Sequence, residues 1–326
     1  MIYHGRRLRR NELLRELKRE SRFSKDDLIY PIFIEFGQKK KLPIGAMPGQ
    51  YRYSIDLLPE LIEQKMEAGV KKFLLFGIPE KKDELGSGAY AEDGIIQSAA
   101  RALKARYGSE ILLISDLCMC EYTSHGHCGI LSGAEVDNAK TLPYLAEIAL
   151  SQAAAGCDIV APSDMMDARV KIIREKLDAS GFKHIPIMSY AVKYASVFYG
   201  PFREAADSAP QFGDRKAYQM DPHNRREAIL EAQSDLAEGA DILIIKPALS
   251  YLDVVRELAA QVNVPLCCYS VSGEYAMVEA AAAKGYIDRE RMIEEIAVSC
   301  FRAGANLLIS YHAEEIAAAI SAGRIS

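Results

Sequence analysis

Three thiols within eleven residues are the first chemistry this chain offers. Ser115-Asp116-Leu117-Cys118-Met119-Cys120-Glu121 is followed by His125-Gly126-His127-Cys128-Gly129. The segment continues an apolar run, Ile111–Ile114, that reads as a buried strand. On an extended backbone Cys118 and Cys120 point to one side, and Cys128 returns from a loop with two histidines and two glycines. Three thiolates at a strand end make an open zinc site, with a fourth position for water or substrate. The competing reading is three free cysteines, one or two simply buried. Polar loop residues between them favour the metal.

Two lysines offer a second chemistry. Lys246 closes the apolar run Asp241–Ile245 and precedes Pro247, and Lys193 follows Pro186–Tyr190. An amine desolvated beside another cation loses its proton more easily, and a neutral amine attacks a ketone or aldehyde to form a Schiff base. For one lysine alone, a snorkelling or salt-bridged side chain is the ordinary reading. Two at neighbouring strand ends, facing a metal site, point to two carbonyl substrates or one handled twice.

These residues need a frame. Eight apolar runs recur: Leu28–Ile34 (interrupted by Pro31), Lys72–Gly77, Ile111–Ile114, Asp158–Ala161, Pro186–Tyr190, Asp241–Ile245, Pro265–Tyr269 and Asn306–Ser310. Apolarity on both faces suits a parallel sheet covered by helices. Between them, Leu58/Leu61/Ile62/Met66, Leu145/Ile148/Ala149 and Leu252/Val255/Leu258 mark helix faces. One joint appears four times, around Gly69, Gly156, Gly239 and Gly304: a glycine, a small or apolar residue, a polar residue, then a strand. The pattern predicts an α/β fold, a (β/α)8 TIM barrel over 28–326, with an N-terminal arm over 1–27 for oligomer contacts. A doubly wound sheet is the alternative, but no G-x-G-x-x-G follows the first strand. In a barrel the strand ends converge on one mouth. The long connection Tyr194–His223 reads as a lid over it, with Arg203 and Arg215 placed to clamp a carboxylate. Asn224 and Glu227 read as an N-cap pattern opening the next helix.

Composition bounds the function. The chain has 326 residues, 49% hydrophobic and 26% charged, with net charge −5. That balance excludes a basic nucleic-acid footprint, and no run is long enough to span a membrane. The basic stretch Met1–Lys18 lacks the apolar core of a secretory signal. Seven cysteines, an odd number, argue against a disulfide framework and for a reducing cytoplasm. The arm carries Leu13, Leu14 and Leu17, a short apolar stripe that suits wrapping a neighbouring subunit.

Five segments in order give the chain a family likeness: Asp116–Cys120 through Cys128-Gly129, Ala161–Asp167, Ser196–Arg203, Tyr218–Pro222 and Tyr269–Tyr275. They resemble the porphobilinogen synthase (5-aminolevulinate dehydratase) family from about Arg6 to Tyr311. The resemblance implies the same barrel, an arm that builds a homo-octamer, and condensation of two 5-aminolevulinate molecules with loss of two waters. It implies Schiff bases at Lys246, for the propionate-side molecule, and at Lys193, for the acetate-side molecule. Cys118, Cys120 and Cys128 match the zinc-binding form. Arg203, Arg215 and Gln219 match the groups on one substrate carboxylate, and Ser272 and Tyr311 those on the other. Asp116 and Ser163 match residues near the substrate amino group, with Asp116 also serving proton transfer. Glu231 stands where some bacterial members bind an allosteric magnesium ion; an ordinary exposed glutamate beside Arg225 and Arg226 is the other reading. His125 and His127 are taken as loop residues around the metal rather than ligands. A class I aldolase would leave Lys193 and the thiols unexplained, and a zinc- or redox-sensing protein would show no turnover.

Overall fold

The four glycine joints form as the spacing predicts. In a computed structural model describing residues 3–325, Gly69, Gly156, Gly239 and Gly304 all have φ near +100° to +120°, a region open to glycine at little cost. At each, the glycine N–H and the next N–H bond back to the helix: Gly69 to Met66 and Val70 to Lys65, with the same pair at Gly156/Cys157, Gly239/Ala240 and Gly304/Ala305. The polar residue of the joint also has a task. Asp158, Asp241 and Asn306 accept the backbone N–H of Leu113, Ile187 and Leu266 on the neighbouring strand, at 2.7, 2.8 and 3.0 Å. One local motif thus ends a helix and registers the strand that follows.

Eight parallel strands result: β1 Leu28–Glu35, β2 Lys72–Ile78, β3 Leu112–Leu117, β4 Ile159–Pro162, β5 Met188–Lys193, β6 Ile242–Lys246, β7 Leu266–Ser270 and β8 Leu307–Ser310. Their order is β4-β3-β2-β1-β8-β7-β6-β5. A bridge between Val160 and Ile187, with Val160 N–H to Pro186 O at 3.2 Å, closes the seam between β4 and β5. Pro31 does not interrupt β1; it lies mid-strand opposite Leu74. The inner core includes Ile29, Phe33, Leu74, Phe76, Ile114, Met188, Tyr190, Ile244, Tyr269 and Ile309, and a second layer packs the helices on the outside. A short antiparallel pair, Lys41–Pro43 and Tyr51–Ser54, adds to β1.

The arm anchors through Phe23, which stacks on Phe301 with centroids 4.1 Å apart. Its helix Glu12–Leu17 buries nothing, and Leu13 and Leu17 are exposed. Met1, Ile2 and Ser326, inside the spans expected for arm and barrel, lie outside the described residues. The helix after the lid starts at Arg226, and Asn224 does not cap it; its side chain donates to the Glu227 carboxylate at 2.8 Å. Among the described residues no helix is long and apolar enough to cross a membrane.

Candidate active site

On β6 strict alternation turns Ile242, Ile244 and Lys246 inward, while Leu243 and Ile245 face the helices. On β5 the same alternation from Met188 and Tyr190 would turn Lys193 outward. It does not, because the register slips by one residue. Leu243 pairs with Ser189, but Ile245 pairs with Val192, so two residues of β5 oppose Ile244 alone. Ala191 and Val192 both pack outward, and Lys193 comes in opposite Lys246. Both lysines are buried.

The two amines have different surroundings. Lys246 Nζ lies 5.1 Å from the Tyr190 ring centroid, 5.2 Å from Tyr199, 4.9 Å from Phe202 and 4.4 Å from Tyr269. Burial, then the charge of Lys193, pull its pKa down to about 7, with Asp116 opposing. Lys193 donates to the Ser163 carbonyl oxygen. Burial pushes its pKa down too, but Cys128, Cys118, Cys120 and Asp116 together outweigh burial and hold it above the usual lysine value. The expectation of two depressed amines is therefore corrected. Lys246 is the depressed one; Lys193 faces the thiol cup, where Cys128 is the thiol pulled well below its usual value, by hydrogen bonds from Cys118 and Cys120.

Asp116, on the inward face of β3, connects them. Ser163 Oγ donates to its Oδ2 at 3.2 Å, and its Oδ1 is buried without a partner. Burial, then Glu121, raise its pKa to about 7 against the pull of Lys246 and Lys193. Asp116 and Lys246 thus titrate near neutrality as interacting groups.

Cys118, Cys120 and Cys128 form a buried cluster, their sulfurs all within 4.8 Å of one another. Among the described residues it is the one set of three such groups that could hold an ion. The strand stops at Leu117, however, and Tyr122 and Thr123 N–H both return to Met119 O. A turn, not extended alternation, brings Cys118 and Cys120 to 3.4 Å; side chains two apart on a strand diverge further. Tetrahedral zinc with ~2.3 Å bonds holds its sulfurs about 3.8 Å apart, so the cup fits. Neither histidine belongs to it.

The lid, Tyr194–His223, is ordered and closed over the mouth. Its two ends hang on the lysines' own backbone: Tyr194 N–H and Tyr199 O–H donate to Lys246 O, and Met220 N–H donates to Lys193 O. Arg215 and Gln219 are buried and Arg203 is half-buried. Arg215 Nε, Arg203 Nε and both amide atoms of Gln219 have no partner, a set of unmet polar groups matched to an oxyanion. Arg203 is held below the usual arginine value by burial and by Arg215 beside it. Tyr311 O–H meets Tyr269 O–H at 3.1 Å. Ser272 is engaged with the lid, accepting from Phe202 N–H at 2.9 Å and donating to Phe198 O at 3.3 Å. Glu231 is not part of this pocket. It lines a cavity of about 510 Å³ with Asp167, Glu227, Asn138, Tyr218 and Gln219, whose lining includes neither Lys193 nor Lys246 and none of the three thiols.

The family model described as delta-aminolevulinic acid dehydratase matches residues 2–319. The chain belongs to this family. It is 52% identical over 313 residues to the delta-aminolevulinic acid dehydratase of Staphylococcus aureus and 51% identical to that of Staphylococcus epidermidis, covering 95% of this chain and 96% of each relative. The crystal structure of the Toxoplasma gondii enzyme in complex with its product porphobilinogen is similar at TM-score 0.95 and 41% identity, covering 98% of this chain and 91% of that one. This dehydratase is a lyase, a porphobilinogen synthase, on a TIM barrel. The match sets aside the aldolase and sensor readings.

Sequence reasoning passed over three groups in the dehydratase's pocket. Tyr190 lies beneath both amines, with its hydroxyl buried and unpartnered. Tyr199, Phe202 and Tyr269 complete the cage around Lys246. Glu121, buried, lies 3.2 Å from the Cys120 sulfur. Their signal was a density of aromatics at strand ends and lid, which a core produces equally well.

Proposed function

We propose that this porphobilinogen synthase condenses its two substrates through sequential imines on Lys246 and Lys193, above a zinc ion held by Cys118, Cys120 and Cys128. The reading rests on one observation: two buried lysines side by side at the inward ends of β5 and β6, with Asp116 and the thiol cup in the same pocket. Lys246 is the amine that is neutral near pH 7, so it attacks first and fixes the propionate-side molecule. Its imine makes the neighbouring carbon acidic. Lys193 must first lose its proton. Asp116, poised near neutrality, accepts that proton and later moves others about the substrate amino group, while Ser163 holds both groups, its carbonyl accepting from Lys193 and its hydroxyl donating to Asp116. When bound, zinc supplies Lewis acidity beside the acetate-side molecule. The closed lid excludes water, so the imines persist.

Arg203, Arg215 and Gln219 grip one carboxylate, and Ser272 and Tyr311 the other. Replacing Arg215 by alanine raises KM for 5-aminolevulinate about 10- to 100-fold, the value of one to two charge-assisted bonds, and Arg215→Lys restores only part, lacking the planar fork. Pyrrole formation followed with an aldehyde colour reagent measures this. An unchanged KM removes Arg215 from the site.

Glu231 is proposed as a ligand of a regulatory magnesium ion. Burial raises its pKa, and Asp167, Asp235 and Glu227 add to the rise, so a cation relieves repulsion there. Added magnesium accelerates the native enzyme and leaves Glu231→Gln unaffected; equal acceleration of both contradicts the assignment. The arm, residues 1–27, is proposed to pack on another copy through Leu13 and Leu17 in a homo-octamer. The seven cysteines, all free, support work in the reducing cytoplasm.

A further inference from the structure

The loop that carries Cys128 is also the surface on which the lid lands. Gln211 N–H donates to His125 O at 3.0 Å, and Arg215 donates to Gly126 O at 2.8 Å. Gly126 has φ +72°, and a Cβ there would strike the Ala209 carbonyl. Between these contacts stands His127, buried, with both ring nitrogens engaged by the lid. Its Nε2 lies 3.0 Å from Phe212 O, and its Nδ1 lies 3.1 Å from Tyr218 O–H.

The proton positions follow from the partners. A carbonyl only accepts, so Nε2 carries the hydrogen and Nδ1 accepts from the Tyr218 hydroxyl. That hydroxyl in turn accepts Cys128 N–H at 3.4 Å. Every group is used once, and neither nitrogen has a lone pair left for a metal. The ring also packs on Phe212 at 5.0 Å and meets Tyr218 edge-on at 6.3 Å.

We infer that His127 is a positioning residue that latches the lid. It pins Phe212 and Tyr218, the two ends of the arc that carries Arg215 and leads into Gln219. The consequence for substrate rests on the reading of Arg215 and Gln219 as carboxylate grips; the latch itself does not.

Hydrogen exchange of residues 208–219 in the full-length enzyme, without substrate, tests the latch. Loss of a net hydrogen bond frees the segment by roughly 3- to 10-fold. Exchange is therefore expected to rise by at least that factor in His127→Phe and in Tyr218→Phe, each of which loses two bonds of the latch. Because the two share one bond, the rise in the double variant falls short of the product of the two single rises. KM for 5-aminolevulinate rises in step while kcat changes less. Should His127→Phe disturb the thiol cup, seen as a changed cobalt–thiolate absorption, Tyr218→Phe carries the test from the lid side. Unchanged exchange in Tyr218→Phe, or effects that multiply in the double variant, overturn the latch. Faster exchange with unchanged KM overturns its role in positioning the grip. An unchanged KM in Arg215→Ala alone removes the grip and leaves the latch standing.

Discussion

Replacing Lys246 by alanine lowers kcat for pyrrole formation by at least about 10⁴-fold, the scale on which a covalent nucleophile matters. Folding should survive. The side chain is buried in an aromatic cage, and its removal relieves a desolvated amine. Lys246→Arg does not rescue, because a guanidinium stays protonated and forms no imine. The same amine sets the pH profile of the native enzyme. Its pKa is lowered from 10.5 to about 7, so the reactive neutral fraction grows as pH rises through 7 and then saturates. Asp116, raised to about 7, becomes a base over the same range and steepens the rise. An ordinary lysine would keep gaining activity up to pH 10.5. Because Lys193 is held above the usual lysine value, the test is read on the first imine alone: a rate of borohydride trapping at Lys246, with limiting substrate, that still climbs well above pH 8 contradicts the depressed amine.

Replacing Cys120 by alanine weakens zinc binding by more than about 100-fold, beyond the 10- to 100-fold typical of groups that merely orient a ligand. Cys120 is one of three sulfurs in a buried cup. Two thiols leave zinc without a third strong ligand, and His127, next to Cys128, cannot replace it because the lid engages both of its ring nitrogens. Chelator competition reads the affinity, and cobalt substitution reads the thiolate count from its absorption. Activity falls with occupancy. A variant that keeps one tightly held zinc per chain contradicts the three-thiolate site.

The barrel was legible because its signals are local. A glycine with positive φ, two backbone bonds and a polar strand opener fit within a few residues, and the chain repeats them. The strand ends that carry Asp116, Lys193 and Lys246 followed from counting runs. The inward turn of Lys193 did not. It depends on a one-residue slip between β5 and β6, and a bulge leaves no mark in apolar alternation. The thiol geometry was read as extended strand because Met119 alternates with cysteines. The turn is set by the Asp83–Gly86 loop, which takes Tyr122 O and gives Asp83 O to Ser124 N–H. The charge of Lys193 was misjudged for the same reason: its neighbours come from β3 and from the loop beyond.

Support behind the pocket was invisible for another reason. Arg169, buried, pairs with Asp235 at 2.9 Å and bonds Ser189 Oγ and Tyr190 O. It braces β5 from the outside, where the sequence shows only an arginine near a helix start. Buried charge is retained where it is paired, and the partner lies sixty-six residues away. His127 belongs to the same class. Its partners Phe212 and Tyr218 are remote in sequence, and only the closed lid brings them to its ring.

The central claim is tested most directly by borohydride reduction in the presence of 5-aminolevulinate, followed by peptide mass mapping. Two reacting amines predict substrate- or product-derived adducts on Lys246 and on Lys193, with Lys246 labelled first when substrate is limiting. An adduct on Lys246 alone at saturating substrate, or on neither lysine, contradicts the account.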